Sequence, residues 1–204
     1  MQELSFYFSP GSRYSYLALS QIPLIEKNFE IKFDWIPIIG NRVREIRGAD
    51  PFKGEPQSGQ YNWEYRRKDA EAWARFYNIP FIEPKDHKMD SNLLGRGVLI
   101  AKELNAERKY SWELASEVFG RGTWPIDEGV ILKTAKLLNL DMDFFHKGII
   151  SERYFEAIER NCQTAVDRGV FGSPTFFVGD VMFWGNDRIP LLKHELCKLT
   201  QRAT

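Results

Sequence analysis

The sequence predicts an α/β protein in which both ends of the chain build one small sheet and a helical block is inserted between them. Three observations carry this. Near the N-terminus LSFYF (Leu4–Phe8) is aromatic-rich, and EIKFDWIPI (residues 30–38) alternates and then turns apolar, so both read as strands. From residue 61 to residue 169 the apolar period becomes helical. Residues 173–184, SPTFFVGDVMFW, then return to two short strands around Gly179-Asp180, a two-residue hairpin turn, before a last helix.

In chain order, residues 13–27 set Tyr16, Leu17, Ile22, Leu24 and Ile25 at helical spacing. Pro23 removes one backbone donor and presses on the carbonyl of Leu19, so a kink is expected there. Residues 40–60 hold four glycines, two prolines and several charges, and read as a loop. NWEYRRKDAEAWARFYN places Trp63, Ala70, Trp73 and Phe76 or Tyr77 near helical spacing, followed by Pro80. Ser91 is the expected cap of NLLGRGVLIAKELN, and Pro125 the expected first residue of IDEGVILKTAKLLN. Asp141 starts a short helix through Phe145, and Ser151 caps a longer one. On the longer helix Tyr154, Phe155, Ile158, Cys162, Ala165 and Val166 form one stripe, and Gly169 supplies a left-handed stop. Cys162 on that stripe reads as core packing. In IPLLKHELCKLTQR the inward residues are Leu191, Leu192, Leu196 and Leu199, with Cys197 beside them. The crossover between the first two strands should be right-handed, hence a parallel pair, and the hairpin adds an antiparallel edge.

Composition narrows the function. With 204 residues and 43% apolar content the chain can bury a core without disulfide staples. Lys plus Arg equal Asp plus Glu at 28 each, which argues against a nucleic-acid or anionic-membrane partner. YRRKDAEAWAR interleaves its cations with acids and reads as a solvated helix face. No apolar run reaches the roughly 18 residues of a membrane span, and MQELSFYF lacks the pattern of a signal peptide. Cys162 and Cys197 read as two reduced thiols of a cytoplasmic protein. The three histidines and two cysteines are scattered, so no metal site is expected.

Strand, helix, strand, helical block, hairpin, helix is the order of a thioredoxin fold with an all-helical insertion. The expected boundaries are residues 1–60 and 170–204 for the thioredoxin-like domain and 61–169 for the insertion. Such folds put their reactive group at the N-terminus of the first helix, where free N–H groups and the helix dipole favour an anion. Redox members carry Cys-x-x-Cys there; this chain carries Ser12-Arg13-Tyr14-Ser15. Without a cysteine at the turn, dithiol exchange is excluded. A serine hydroxyl stays neutral, but it can donate a hydrogen bond to a thiolate that belongs to a ligand. Glutathione would supply such a thiolate. Ser12 can equally be a plain helix cap. A hydrolase nucleophile is disfavoured, because PGSRY is not a Gly-x-Ser-x-Gly elbow. Pro174 stands directly before a strand, where a cis bond would turn the Ser173 backbone outward to pair with an extended peptide. Trp184, Gly185, Asn186 and Asp187 open the last helix; their N–H groups suit a carboxylate and Asp187 suits an ammonium, though either Asn186 or Asp187 also makes an ordinary cap.

FYFSPGSRYSYLA, WARFYNIPF, VFGSPTFFVGD and WGNDRI, in that order, resemble the 2-hydroxychromene-2-carboxylate isomerase and kappa-class glutathione transferase family. The resemblance implies a homodimer with bound glutathione as cofactor and Ser12 as catalytic serine. It implies glutathione contacts from Ser12, Ser173, Pro174, Trp184, Gly185, Asn186 and Asp187. In such isomerases the glutathione thiolate adds to a conjugated substrate, allows rotation about a loosened double bond, and leaves; no metal or nucleotide is needed. Three features depart from the family. Arg13 replaces the usual proline and either adds charge beside the thiolate or points to solvent. Ser9 stands where an acid is common. The substrate half of the site matches loosely: Arg42 falls near a substrate lysine, His87 near a substrate tyrosine, and an asparagine–arginine pair has no counterpart in FKGEPQSGQYN. The substrate is therefore expected to be a conjugated or electrophilic small molecule. The rival readings are a kappa-like transferase or peroxidase and a redox-silent peptide-binding module.

Overall fold

A computed structural model describes residues 3–48, 62–84 and 89–202. β1 (Leu4–Phe8) lies inside a four-stranded sheet of order β2-β1-β3-β4. It pairs in parallel with β2 (Asp34–Pro37), Phe6 opposite Trp35, and antiparallel with β3 (Thr175–Val178), Phe6 opposite Phe176. β4 (Val181–Trp184) closes the hairpin on β3 and forms the edge. One sheet is thus assembled from both ends of the chain, as the pattern predicts.

Side chains alternate across β1, so its two faces feed two cores. On one face Phe6 stacks on Phe8 and on Phe176, each at 4.9 Å between centroids, with the Trp35 ring edge-on. Helices α1 (Arg13–Leu19), α2 (Ile22–Phe29), α5 (Ser91–Glu103), α6 (Glu107–Phe119) and α10 (Ile189–Arg202) cover this face through Tyr16, Ile22, Leu94, Leu114, Leu192 and Leu196. On the other face Tyr7 and Phe177 pack with Val43 of α3 (Gly40–Arg47) and with Ile158, Cys162 and Ala165 of α9 (Glu152–Asp167). Helices α4 (Trp63–Tyr77), α7 (Glu128–Leu137) and α8 (Met142–Ile149) complete the helical block. No described helix is long and apolar enough to cross a membrane.

The structure corrects several local expectations. Residues 13–27 are not one kinked helix. The chain leaves the helix at Ser20 and restarts, so that Pro23 sits in the first turn of α2, where no backbone donor is required. The first part of the expected loop, Gly40–Arg47, is α3; it buries only Val43 fully, too little apolar signal to read against its charges, and residues 49–61 lie outside the described residues. Asp90, not Ser91, caps α5, accepting from Asn92 N at 2.9 Å and Leu93 N at 3.1 Å. Asp127, not Pro125, sets the start of α7. α8 runs on to Ile149, past Phe145. Of the expected inward residues of α10, Leu191 is half exposed, while Leu192 and Leu196 are buried. Cys162 is buried as expected. It accepts from the Ile39 amide at 3.3 Å, and burial pushes its thiol pKa up, away from reactivity.

Candidate active site

The site is built around the turn joining β1 to α1. Ser12 N donates to Ser9 O at 2.9 Å, closing Ser9-Pro10-Gly11-Ser12 into a tight turn. A Cβ on Gly11 would lie 2.6 Å from the Met89 sulfur, so the turn is pressed against the entry to α5. Ser12 is the N-cap of α1, with extended φ −103 and ψ 125. Its Oγ accepts from Ser15 N at 3.4 Å and donates to Ser173 O at 3.5 Å. Both contacts are beyond the usual range for a hydroxyl, so the group is weakly held. Ser15 is fully buried, and its Oγ accepts from the Ser9 amide at 3.2 Å. The cap reading of Ser12 is therefore correct as far as it goes, and it leaves the hydroxyl able to turn to another acceptor.

The Ser173–Pro174 bond is cis, and the Ser173 carbonyl faces the Ser12 hydroxyl across 161 residues of sequence. Pro174 O in turn accepts from Gly185 N at 2.9 Å. Gly185 has φ +105 and ψ 154, a backbone conformation essentially confined to glycine, which swings the chain off β4 into a short 3-10 turn, Asn186–Arg188. That turn packs against α1. The structure thus gathers Ser12, Ser173, Pro174, Gly185, Asn186 and Asp187 at one end of the sheet, with Trp184 as the last residue of β4. Asn186 is 2% exposed, and its Nδ2 has no acceptor among the described residues. Asp187 is half exposed, 3.5 Å from Arg188.

Arg42 lies on α3, in the helix layer over the Tyr7 face of the sheet, ion-paired to Glu159 of α9 at 2.7 Å and to Glu45 at 3.2 Å, and these carboxylates raise its pKa. His87 lies outside the described residues. Arg13 does not point to solvent: it is 6% exposed, ion-paired to Glu83 at 3.0 Å, with its guanidinium carbon 4.0 Å from the centre of the Trp63 ring. Sequence reasoning missed Glu83, Trp63 and Tyr77, whose hydroxyl donates to Asn186 O at 3.5 Å. All three come from the helical block, and no local pattern marks them. Tyr14 donates to Asp69 at 3.0 Å, and burial first, then the Asp69 charge, push its phenol up to about 12. It stays protonated at neutral pH and cannot act as a base beside Ser12.

A sheet built from both chain ends, a helical insertion and a cis-proline strand facing the first helix define a thioredoxin domain of the DsbA type. The family model for the DSBA-like thioredoxin domain matches residues 3–197, and the chain belongs to that family. Within it, the chain is 27% identical over 192 residues to the 2-hydroxychromene-2-carboxylate isomerase of Pseudomonas sp. (strain C18), covering 94% of this chain and 88% of that protein. It is 28% identical over 200 residues to the protein of the same name from Sphingobium xenophagum, covering 95% and 97%. A solved structure of 2-hydroxychromene-2-carboxylate isomerase superposes with a TM-score of 0.86 at 26% identity, covering 98% of this chain and 97% of that one.

Proposed function

We propose that this protein is a glutathione-dependent isomerase of the 2-hydroxychromene-2-carboxylate isomerase type, acting on a conjugated small molecule. The observation that carries the reading is the Ser12 hydroxyl. It stands where redox relatives of this fold place a sulfur, loosely bonded at 3.4 and 3.5 Å, facing the backbone before a cis-proline. The relatives at 26–28% identity, covering nearly the whole chain, support the isomerase class.

The residues present fit glutathione. Asn186 Nδ2 is a buried donor in want of an acceptor, which a ligand carboxylate or carbonyl satisfies. The Asp187 carboxylate is open to an ammonium group, and the Ser173 backbone lies beside Ser12 for an extended peptide. Bound glutathione supplies a soft sulfur nucleophile that adds to a conjugated double bond and leaves again unchanged.

The chain's own part is electrostatic. The Ser12 hydroxyl gives up its long bond to Ser173 O and donates to the sulfur anion, a charge-assisted bond stronger than the neutral one it replaces. The first-turn N–H groups of α1 add their partial positive charge, a short-range effect that survives in a helix of only seven residues. Asn186, Asp187 and the Ser173 backbone fix the peptide so that the sulfur and the hydroxyl meet. His146 and His194 sit on α8 and α10, so among the described residues no imidazole lies in this cluster.

Calorimetric titration with glutathione, followed by product analysis with 2-hydroxychromene-2-carboxylate, tests the proposal. Binding with catalytic isomerisation and recovery of glutathione unchanged is the expected result. Release of a conjugate or of oxidised glutathione would instead make the protein a kappa-like transferase or peroxidase. No glutathione binding would leave only the fold. The homodimer implied by the resemblance and the cytoplasmic location read from the cysteines belong to the same proposal. Sedimentation checks the first, and the buried thiol of Cys162 suits the reducing compartment of the second.

A further inference from the structure

Arg13 raises a question that the sulfur chemistry does not answer. Its side chain is 6% exposed, and it follows Ser12 directly as the first residue of α1. One guanidinium nitrogen, Nη2, is held by Glu83 at 3.0 Å, and the Trp63 ring lies against the plane at 4.0 Å. The other terminal nitrogen, Nη1, is shut off from solvent and has no acceptor among the described residues. A buried cationic donor without an acceptor is costly, and such groups are normally satisfied by protein, water or ligand. The guanidinium plane is fixed on two sides, by Glu83 and by Trp63, so the free nitrogen is not swinging in search of a partner.

Among the described residues the groups acting on Glu83 are Arg13, Arg66 and Arg67 on the positive side and Glu71 on the negative side. Burial depresses the arginine pKa, and the Glu83 charge beside it opposes that shift.

We propose that Arg13 is a ligand-binding residue at the head of α1, and that its Nη1, left without an acceptor, receives a carboxylate brought in by a small molecule bound beside Ser12. Guanidinium geometry matches a planar carboxylate better than any neutral group. The carboxylate comes either from the electrophile or from glutathione. The inference rests on the proposed function in taking the Ser12 turn as a ligand site, and the experiment separates the two.

The test measures dissociation constants by calorimetry for the wild type and Arg13→Gln with three probes: chromone-2-carboxylate, uncharged chromone, and glutathione. Because Arg13→Gln takes one cation away from the buried Glu83, the double variant Arg13→Gln with Glu83→Gln is measured in parallel as the folded control. The expected result is a roughly ten- to hundred-fold loss of affinity for one carboxylate probe, the value of a charge-assisted hydrogen bond, with chromone binding unchanged. Loss on chromone-2-carboxylate assigns the electrophile as the source, and loss on glutathione assigns the tripeptide. If both carboxylates bind the variants as they bind the wild type, or chromone weakens equally, the inference is overturned and Arg13 is structural. A wild type that binds chromone-2-carboxylate but not glutathione sinks the proposed function and leaves this inference standing.

Discussion

Replacing Ser12 by alanine separates a helix cap from a thiolate donor, because the two roles differ in size and in what they move. As a cap, Ser12 accepts from Ser15 N at 3.4 Å, a long bond. Losing a serine cap costs about 0.5–2 kcal/mol, and this geometry places it near the low end. For a chain of this size about 0.5 kcal/mol moves the melting temperature by roughly 1–2 °C. As a donor to a bound thiolate, the hydroxyl contributes about 1.5–3 kcal/mol, or roughly one to two units of thiol pKa at about 1.36 kcal/mol per unit. A bound thiol brought down from about 8.5 would then be roughly one quarter to three quarters ionised at pH 7, against roughly 3% without the hydroxyl. The rate is the poorer readout. A thiolate of lower pKa is also a weaker nucleophile, with a Brønsted coefficient of about 0.4–0.5, so the net fall in rate at pH 7 from this cause alone is only about threefold.

The assay is therefore the ultraviolet absorbance of the thiolate, titrated against pH in the glutathione complex. In the proposed mechanism the bound thiol has a depressed pKa. Its extra binding energy is thus complete above the free thiol value near 8.5 and is lost as pH falls through the bound value. The ratio of wild-type to Ser12→Ala affinity for glutathione should grow about ten- to a hundred-fold from pH 6 to pH 9.5, the titration of the ligand's ammonium cancelling between the two proteins. If the titration curves of wild type and variant coincide, Ser12 is a cap and nothing more.

Three other outcomes are expected. Gly172→Ala puts a Cβ 2.6 Å from Trp184 Nε1, forcing the indole and the turn beyond it to shift; glutathione affinity should fall severalfold with a stability loss of about 1–3 kcal/mol, and an unchanged dissociation constant would detach Trp184 from the site. Burial pushes the Glu83 carboxyl above its ordinary 4.5 despite Arg13. A raised folded pKa means stability present at low pH and lost as pH rises through that value, so relative to Glu83→Gln the wild type should gain stability on acidification toward 4.5; urea unfolding showing the opposite slope would mean that the ion pair outweighs desolvation. Ile158→Ala removes a fully buried side chain between α9 and the sheet and should cost about 2–5 kcal/mol in urea unfolding; a loss under about 1 kcal/mol would show that this core closes around the gap.

Local pattern carried much of the fold. β1, β3 and the Gly179-Asp180 hairpin were readable because their aromatic and apolar residues are concentrated over short strands and the turn chemistry is specific. α3 was not readable, since a helix that fully buries only Val43 and exposes its arginines has no strong apolar stripe. The cap of α5 was missed by one residue, Asp90 for Ser91, and the first residue of α7 by three, Glu128 for Pro125.

By itself the sequence determined that no sulfur stands at the head of α1, that a serine does, and that a Ser-Pro step and a Trp-Gly-Asn-Asp turn flank the last two strands. These are facts of covalent order and local preference. Tertiary structure alone decided that Ser12 and Ser173 face each other at 3.5 Å, that Arg42 is held by α9 over the Tyr7 face of the sheet, and that Arg13 is buried between Glu83 and Trp63. The reason is range. Those contacts join residues 50 to 161 positions apart, and their partners are chosen by how the helical block packs on the sheet, for which no neighbouring residue carries a signal.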